Sequence, residues 1–217
     1  MKEQQTGDIS IIRKNMDLER KYARIARFYD FLDAPFEIFR YRPLRKAILA
    51  ELSGEILEAG VGTGRNFDFY TSGAKVTGID LSAAMLRQAH KRAARINDIS
   101  IDLLQMDVEA LAFPDNYFDV VVASFLFCVL PVPFPALSEL SRVCRPEGKI
   151  ILCEYCLSKN PRHRFSQKLW APWVRFAYGA EFDRGTVEKI RANKYEILEE
   201  QFVYSDILKL IITKPKK

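Results

Sequence analysis

Three glycines spaced two apart, Gly60, Gly62 and Gly64, sit in the segment LEAGVGTGRN at residues 57–66. Glycine lets a backbone turn sharply and lets a ligand approach without meeting a Cβ atom. Carboxylates stand around this turn: Glu58 two residues before the first glycine, Asp80 16 residues after the third, and Asp107 in QMDVEAL. The turn and the two later acids each close a short apolar run, EILEAG, AKVTGID and ISIDLLQMD. A glycine-rich turn after one strand and an acid at the end of the next suit a nucleoside at the carboxyl edge of a parallel sheet, with Asp80 on the ribose hydroxyls. Asp107 can accept from an adenine amine while the Val108 N–H donates to the ring, a paired edge contact that gives specificity. Asp107 can also cap a helix beginning VEAL, and the two roles are compatible.

The nucleoside is narrowed by what the turn lacks. The dinucleotide fingerprint G-x-G-x-x-G needs glycine at 65 or 67, where this chain has Arg65 and Phe67, and no P-loop pattern is present. A carboxylate at Glu58 suits a cationic ligand better than a pyrophosphate. S-adenosylmethionine carries an ammonium and a sulfonium and no phosphate. The plainer reading is that the glycines only make a tight turn, and it does not account for three acids in register with them.

The elements that must position these residues follow a rhythm. Short apolar runs alternate with helical segments: SAAMLRQAHKRAARI, capped by Ser82, then the strand YFDVVVASF, the helix FPALSELSRVC and the strand EGKIILCEYC. That alternation predicts βαβ units and a doubly wound parallel sheet of α/β class. Upstream, Pro43 starts a helix over LRKAILAEL that Gly54 stops. The turn after Gly64 is expected to open a helix. The end of the chain predicts a hairpin, EILEEQFVY and ILKLIITK, joined by about two residues at Ser205-Asp206. Residues 1–50 form an N-terminal helical lid segment, and residues 51–217 the main domain, with an insertion over 157–193.

Composition bounds the rest. Of 217 residues, 48% are hydrophobic and 28% charged, which excludes global disorder, collagen-like and disulfide-scaffold classes. The four cysteines predict buried thiols in a reducing compartment. The opening MKEQQTGDIS has no apolar run of a secretory signal. Residues 120–138 are uncharged, but Pro131, Pro133 and Pro135 argue for a buried strand and loop rather than a membrane span. Cys153 and Cys156 sit at opposite faces of a strand end, so no metal site is expected. The location predicted is cytoplasmic.

The net charge of +5 is unevenly spread. Residues 11–46 hold ten Lys/Arg against five acids, and residues 155–180 hold five Lys/Arg and no acid. The second segment interleaves Arg162, Arg164 and Lys168 with Phe165, Trp170, Trp173, Phe176 and Tyr178. Such a mixture suits the interface of an anionic membrane, which the protein would contact peripherally. It also suits RNA stacking, though no nucleic-acid partner is expected. The plain alternative packs the aromatics onto the sheet and leaves the cations solvated.

The order LEAGVGTG, VTGIDLSAAML, QMDVEALAFPDNYFDVVVAS and LSRVCRPEGKIILCEY resembles the class I S-adenosylmethionine-dependent methyltransferases. The resemblance implies a Rossmann-like sheet of seven strands in order 3-2-1-4-5-7-6 with the last antiparallel. It implies cofactor contacts at Glu58, Gly60, Gly62, Gly64, Asn66, Asp80, Leu81, Met85, Asp107, Val108, Ser124 and Phe125, with S-adenosylhomocysteine as product. YARIARFYDFLDAPF and QKLWAPWVRFAYGAEF are similar to bacterial phospholipid N-methyltransferases acting on phosphatidylethanolamine, and GTGRNFDFY to lipid-droplet enzymes that methylate alkyl thiols. The acceptor expected is a lipid headgroup amine; the alternatives are an amphipathic thiol, a quinone-like ring, or a non-catalytic nucleoside-binding role. Oligomeric state is not legible. Methyl transfer is an in-line displacement that needs positioning, and an ammonium acceptor must first lose a proton. Tyr22, Tyr29, Asp30, Glu154, Tyr155 and His163 are candidates to help, and Tyr22, Tyr29 and Tyr155 are carried forward as catalytic candidates.

The loop should therefore bind S-adenosylhomocysteine and not NAD. Thermal shift with each ligand checks this through linkage: the melting temperature rises with S-adenosylhomocysteine and stays put with NAD.

Overall fold

Runs such as Ile56-Leu57, Val120-Val121-Val122 and Ile150-Ile151-Leu152 are buried throughout. Strands that are apolar on both sides must be covered on both faces. The computed structural model describes residues 19–20, 22–24, 26, 29–32, 37, 41–130, 132–178, 180 and 190–217. Its strands are β1 (Gly54–Ala59), β2 (Ala74–Asp80), β3 (Ser100–Gln105), β4 (Phe118–Ser124), β5 (Cys144–Tyr155), β6 (Ile197–Tyr204) and β7 (Leu208–Thr213). They form one seven-stranded sheet in the order β3-β2-β1-β4-β5-β7-β6. β1 to β5 pair in parallel, and β7 runs antiparallel to both β5 and β6. The predicted α/β class and strand order hold.

Among the described residues, the helices whose bounds are defined are α1 (Tyr29–Leu32), α2 (Arg42–Leu49), α3 (Ala83–Ala93), α4 (Pro133–Val143) and α5 (Pro161–Tyr178). Alternate strand residues feed two cores, as the two-residue period requires. Leu57, Ile79, Val121 and Ile150 join Leu137 and Leu140 of α4 on one face. Ile56, Val76, Val120 and Ile151 join Leu49 of α2 and Leu86 of α3 on the other. β1 is flanked by β2 and β4, so the chain winds outward to β3 and returns on the far side of β1. The carboxyl ends of β1 and β4 face the crevice at that reversal, where α/β sheets bind ligands.

Four local expectations change. The turn after Gly64 opens no α-helix; a 3-10 turn, Phe67–Phe69, takes its place. Phe67, Phe69 and Tyr70 are all buried, and Phe67 and Phe69, two residues apart, would point to different sides of an α-helix. VEAL forms a turn closed by the Ala110 N–H on the Asp107 carbonyl at 3.1 Å, not a helix. The β6–β7 hairpin has a three-residue connection, Ser205–Ile207, and Ser205 takes a left-handed φ of 48°. The uncharged run 120–138 is strand, loop and then helix, since α4 already starts at Pro133. Much of the predicted lid over residues 1–50, and residues 181–189 of the predicted insertion, lie outside the described residues.

The hairpin turn also holds α5. Asp206 accepts from the Ser158 hydroxyl at 2.5 Å and from the Lys159 and Asn160 N–H groups at 2.9 and 3.1 Å, and meets His163 Nδ1 at 3.0 Å. These contacts, led by the Ser158 and His163 hydrogen bonds, hold its carboxyl well below the usual range. Gln167 ties the next turn of α5 to the Cys156 carbonyl at 3.0 Å and the Ser158 N–H at 2.9 Å.

Gly64 illustrates a glycine used for packing. It has a φ of 80°, and a Cβ there would lie 2.3 Å from the ring of fully buried Phe67. Gly64→Ala should cost about 3 kcal/mol through overpacking and left-handed strain. In a chain of this size that lowers the melting temperature by roughly 6–12 °C, which calorimetry would read.

Candidate active site

The carboxyl ends of β1, β2 and β4, with residues just after β3 and parts of the N-terminal segment, enclose a cleft of about 1050 Å3, its open mouth included. Glu58 leaves β1 fully inside it. The Glu58 carboxylate accepts from Asn66 Nδ2 and the Tyr70 hydroxyl, both at 2.9 Å. Burial pushes its pKa up to about 7, against the pull of Tyr70, Arg45 and Asn66. Asn66 is held in turn by Arg45, whose Nη1 donates to Asn66 Oδ1 at 2.5 Å.

Asp80 ends β2. Its Oδ2 accepts from the Gly62 N–H and its Oδ1 from the Ser82 N–H, each at 2.8 Å. Burial raises its pKa, and those two bonds oppose the rise. Each oxygen keeps a second lone pair for a ribose hydroxyl. Ser82 caps α3, as predicted, by accepting from the Met85 N–H at 3.4 Å. Asp107 Oδ1 accepts from the Glu109 N–H at 2.9 Å, and Asp107 and Val108 line the cleft beside Met106.

The glycines divide by role. Gly62 has a φ of 56°, and a Cβ added there would meet nothing within 4 Å; it faces cleft space. Gly60 is pressed by Leu126, whose Cδ1 would lie 2.9 Å from a Cβ. Gly64 does not line the cleft, because Phe67 fills its side. The remaining residues named from sequence for the cofactor, Leu81, Met85, Ser124 and Phe125, line it.

Of the residues named for catalysis, Tyr22 and Tyr29 line the cleft, their ring centroids 6.4 Å apart. Burial, followed by Tyr29, Cys128, Asp80 and Glu154, pushes the Tyr22 phenol well above its usual pKa. Tyr155 is placed behind the cleft wall: its ring packs on Phe125 at 5.3 Å and its hydroxyl meets that of Tyr41. Asp30 is engaged by the Thr63 hydroxyl at 2.7 Å, by Arg65 Nε at 2.9 Å and by Arg92 at 2.7 Å. His163 is on α5 with Asp206 and does not line the cleft. Glu154 faces backbone N–H groups rather than the cleft.

Sequence reading missed the arginines and the apolar wall. Arg65 reaches both Asp30 and Glu37, the latter at 3.0 Å, and Arg45 reaches Glu37 at 3.0 Å. These pairs fasten Asp30 and Glu37 of the N-terminal segment to the glycine turn. The only hint was that Arg65 occupies a fingerprint glycine position. Leu126, Val129 and Leu130 also line the cleft; the uncharged run after β4 signalled burial and not a cleft wall.

Residues 57–152 match the family described as "Methyltransferase domain". The chain is 38% identical over 188 residues to a phosphatidylethanolamine N-methyltransferase of Cereibacter sphaeroides, covering 84% of this chain and 89% of that one. It is 32% identical to a demethylmenaquinone methyltransferase of Thermobifida fusca, over 73% of this chain and 71% of the other. A geranyl diphosphate C-methyltransferase of Streptomyces coelicolor, crystallised with S-adenosyl-L-homocysteine, shares the fold with a TM-score of 0.64 at 15% identity, over 81% of each chain. The chain belongs to the class I S-adenosylmethionine-dependent methyltransferases and uses S-adenosylmethionine as methyl donor.

The residues present fit that cofactor. Gly62 leaves open space where a side chain would stand, and Glu58 is a buried carboxylate whose pKa of about 7 shows how poorly it is compensated. An ammonium beside it would favour the ionised form. Below pH 7 Glu58 must lose a proton for the ligand to bind, and above pH 7 it is already ionised. Affinity for S-adenosylhomocysteine should fall roughly tenfold per pH unit below 7 and level off above it. Calorimetry from pH 5.5 to 8 reads this, and Glu58→Gln should flatten the profile.

Proposed function

We propose that the enzyme N-methylates the headgroup amine of a phospholipid, phosphatidylethanolamine first, while docked on the surface of an anionic membrane. The observation that carries the reading is the outer face of α5. Phe165, Leu169, Trp170 and Trp173 are 70%, 66%, 59% and 59% exposed, beside the exposed cations Arg162, Arg164, Lys168 and Arg175. Among the described residues of α5, Val174 is the buried one. Large aromatics on a basic helix suit the headgroup region of a bilayer. No helix among the described residues is long and apolar enough to cross a membrane, so contact through this helix is peripheral. The relative from Cereibacter sphaeroides, named for phosphatidylethanolamine, supports the same acceptor.

The cofactor supplies an electrophilic methyl on a sulfonium. The chain binds and orients. Glu58 and Asp80 would hold the two ends of the cofactor's nucleoside and amino-acid parts, with Asp107 and Val108 at the base. The raised Tyr22 phenol stays protonated near neutral pH, so it serves as an orienting group and not as a base. Its oxygen can accept a hydrogen bond from the acceptor ammonium, and the proton lost before attack goes to water. Tyr29, its ring centroid 6.4 Å from that of Tyr22, lines the cleft beside it. The relative named for demethylmenaquinone favours a second reading, transfer to a quinone-like ring carbon.

Labelled cofactor, the enzyme and vesicles of phosphatidylethanolamine with an anionic lipid decide between these. The expected product is labelled N-methylated phosphatidylethanolamine. Replacing Arg162, Arg164 and Lys168 with Glu should cut vesicle-dependent turnover at least tenfold and leave S-adenosylhomocysteine affinity unchanged. Label in a quinone precursor and none in phospholipid would move the assignment to the second reading.

A further inference from the structure

We infer that Glu154 is a positioning residue for methyl transfer: from inside the sheet it binds three consecutive backbone N–H groups and so sets the wall of the cleft at Phe125–Leu130. The carboxylate leaves β5 one residue before its end and is 1% exposed. Its Oε1 accepts from the Leu126 and Phe127 N–H groups, each at 2.8 Å, and its Oε2 from the Cys128 N–H at 3.3 Å. The segment it holds is a single turn, closed by the Val129 and Leu130 N–H groups on the Leu126 carbonyl at 3.1 and 3.3 Å. The first N–H groups of such a turn have no partner within it, and a carboxylate at that end is also favoured by the turn's dipole.

Two further features make the turn depend on this carboxyl group. Phe125, where β4 gives way to the turn, has a left-handed φ of 59°, a costly conformation for a bulky residue. Its N–H is fixed on the Cys153 carbonyl at 2.8 Å, so the chain is clamped by β5 on both sides of the strained bond. The wall also touches what the cofactor needs. Leu126 packs against Gly60, and Leu126 and Leu130 share an apolar cluster with Val108. Phe125 carries Tyr41 and Tyr155 against its ring, at 5.1 and 5.3 Å, and the Arg45 guanidinium at 5.7 Å. Glu154 itself does not line the cleft, so it acts through these residues. Groups facing it include Tyr22 from the N-terminal segment, Cys128 from the turn and Cys153 from β5. Burial lifts its pKa to about 8, opposed by the three N–H bonds.

Glu154→Gln is the test, because the amide keeps one oxygen for Leu126 and Phe127 and turns its NH2 toward Cys128. Hydrogen exchange of residues 125–130, calorimetry with S-adenosylhomocysteine and turnover on phosphatidylethanolamine vesicles are read together. The expected result is exchange at least tenfold faster in that segment, affinity lower by less than tenfold, and kcat lower by at least tenfold with little change in acceptor KM. Glu154→Leu, which offers no acceptor, should do more in each readout. Unchanged exchange in Glu154→Gln overturns the inference. So does lost turnover with exchange and affinity intact, which would make Glu154 act directly on the reacting groups. If the variants do not fold, the wild-type amides decide: Leu126, Phe127 and Cys128 should exchange as slowly as strand amides, and loop-like exchange overturns the inference. If wild type makes no methylated phospholipid, the acceptor reading fails, and exchange and affinity still test Glu154.

Discussion

A carboxylate removed from water must be given donors or it will not stay ionised. Buried Glu58 and Glu154 and half-buried Asp80, near the carboxyl ends of strands, have pKa values raised by that removal. The donors each one recruits define the loops of the site. Glu58 draws in Asn66 and Tyr70, and so the whole turn after β1. Asp80 draws in the Gly62 and Ser82 N–H groups, joining the glycine turn to the start of α3. Glu154 draws in the turn after β4. Asp80 and Glu154 are met by backbone N–H groups, and Glu58 by an amide and a phenol. Such donors carry no net charge and offset the loss of water only in part, so Glu58 in the cleft keeps the capacity to favour a cationic ligand.

The N-terminal segment is joined to this arrangement by opposite means. Asp30 and Glu37 are paired with arginines of the core: Arg65 and Arg92 for Asp30, Arg65 and Arg45 for Glu37. Arg65 is itself buried and its guanidinium lies 5.6 Å from the Tyr29 ring centre. A planar, multiply donating cation between two acids fixes orientation as well as distance. Arg45 then continues the chain to Asn66 and hence to Glu58. The segment bearing Tyr22 and Tyr29 is thus connected, bond by bond, to the Glu58 carboxylate in the cleft.

The sheet and the cofactor side were legible because their signals are local. Alternating apolar runs, a G-x-G-x-G turn and acids at strand ends are all set by sequence spacing. What stayed hidden depended on distant partners. Glu154 was read as a possible base from its residue type, and its hydrogen bonds to N–H groups 26 to 28 residues away were not visible in the local sequence. Tyr155 was read as catalytic, but Phe125 stands between it and the cleft. Gly64 shares a motif with Gly62, yet only the position of the Phe67 ring separates a packing glycine from one that faces open cleft. Asn66 was expected to meet the cofactor directly; it lines the cleft while holding Glu58 and Arg45.

The cofactor side and the exposed helix meet at one place. Val174 of α5 packs with Cys128 and Ala180, against Phe125, Val129 and Tyr155. Cys128 is the third residue whose N–H reaches Glu154, and Phe125 and Val129 line the cleft. The same short turn therefore receives the sheet's buried carboxylate on one side, the cleft on another and the inner face of α5 on a third. Interiors this closely packed shift between discrete arrangements rather than deform smoothly. α5 is also fastened at its start by Asp206 and Gln167, so it cannot swing away at that end without breaking those bonds. A helix carrying Trp170 and Trp173 outward is thereby held in fixed relation to the wall of the cleft.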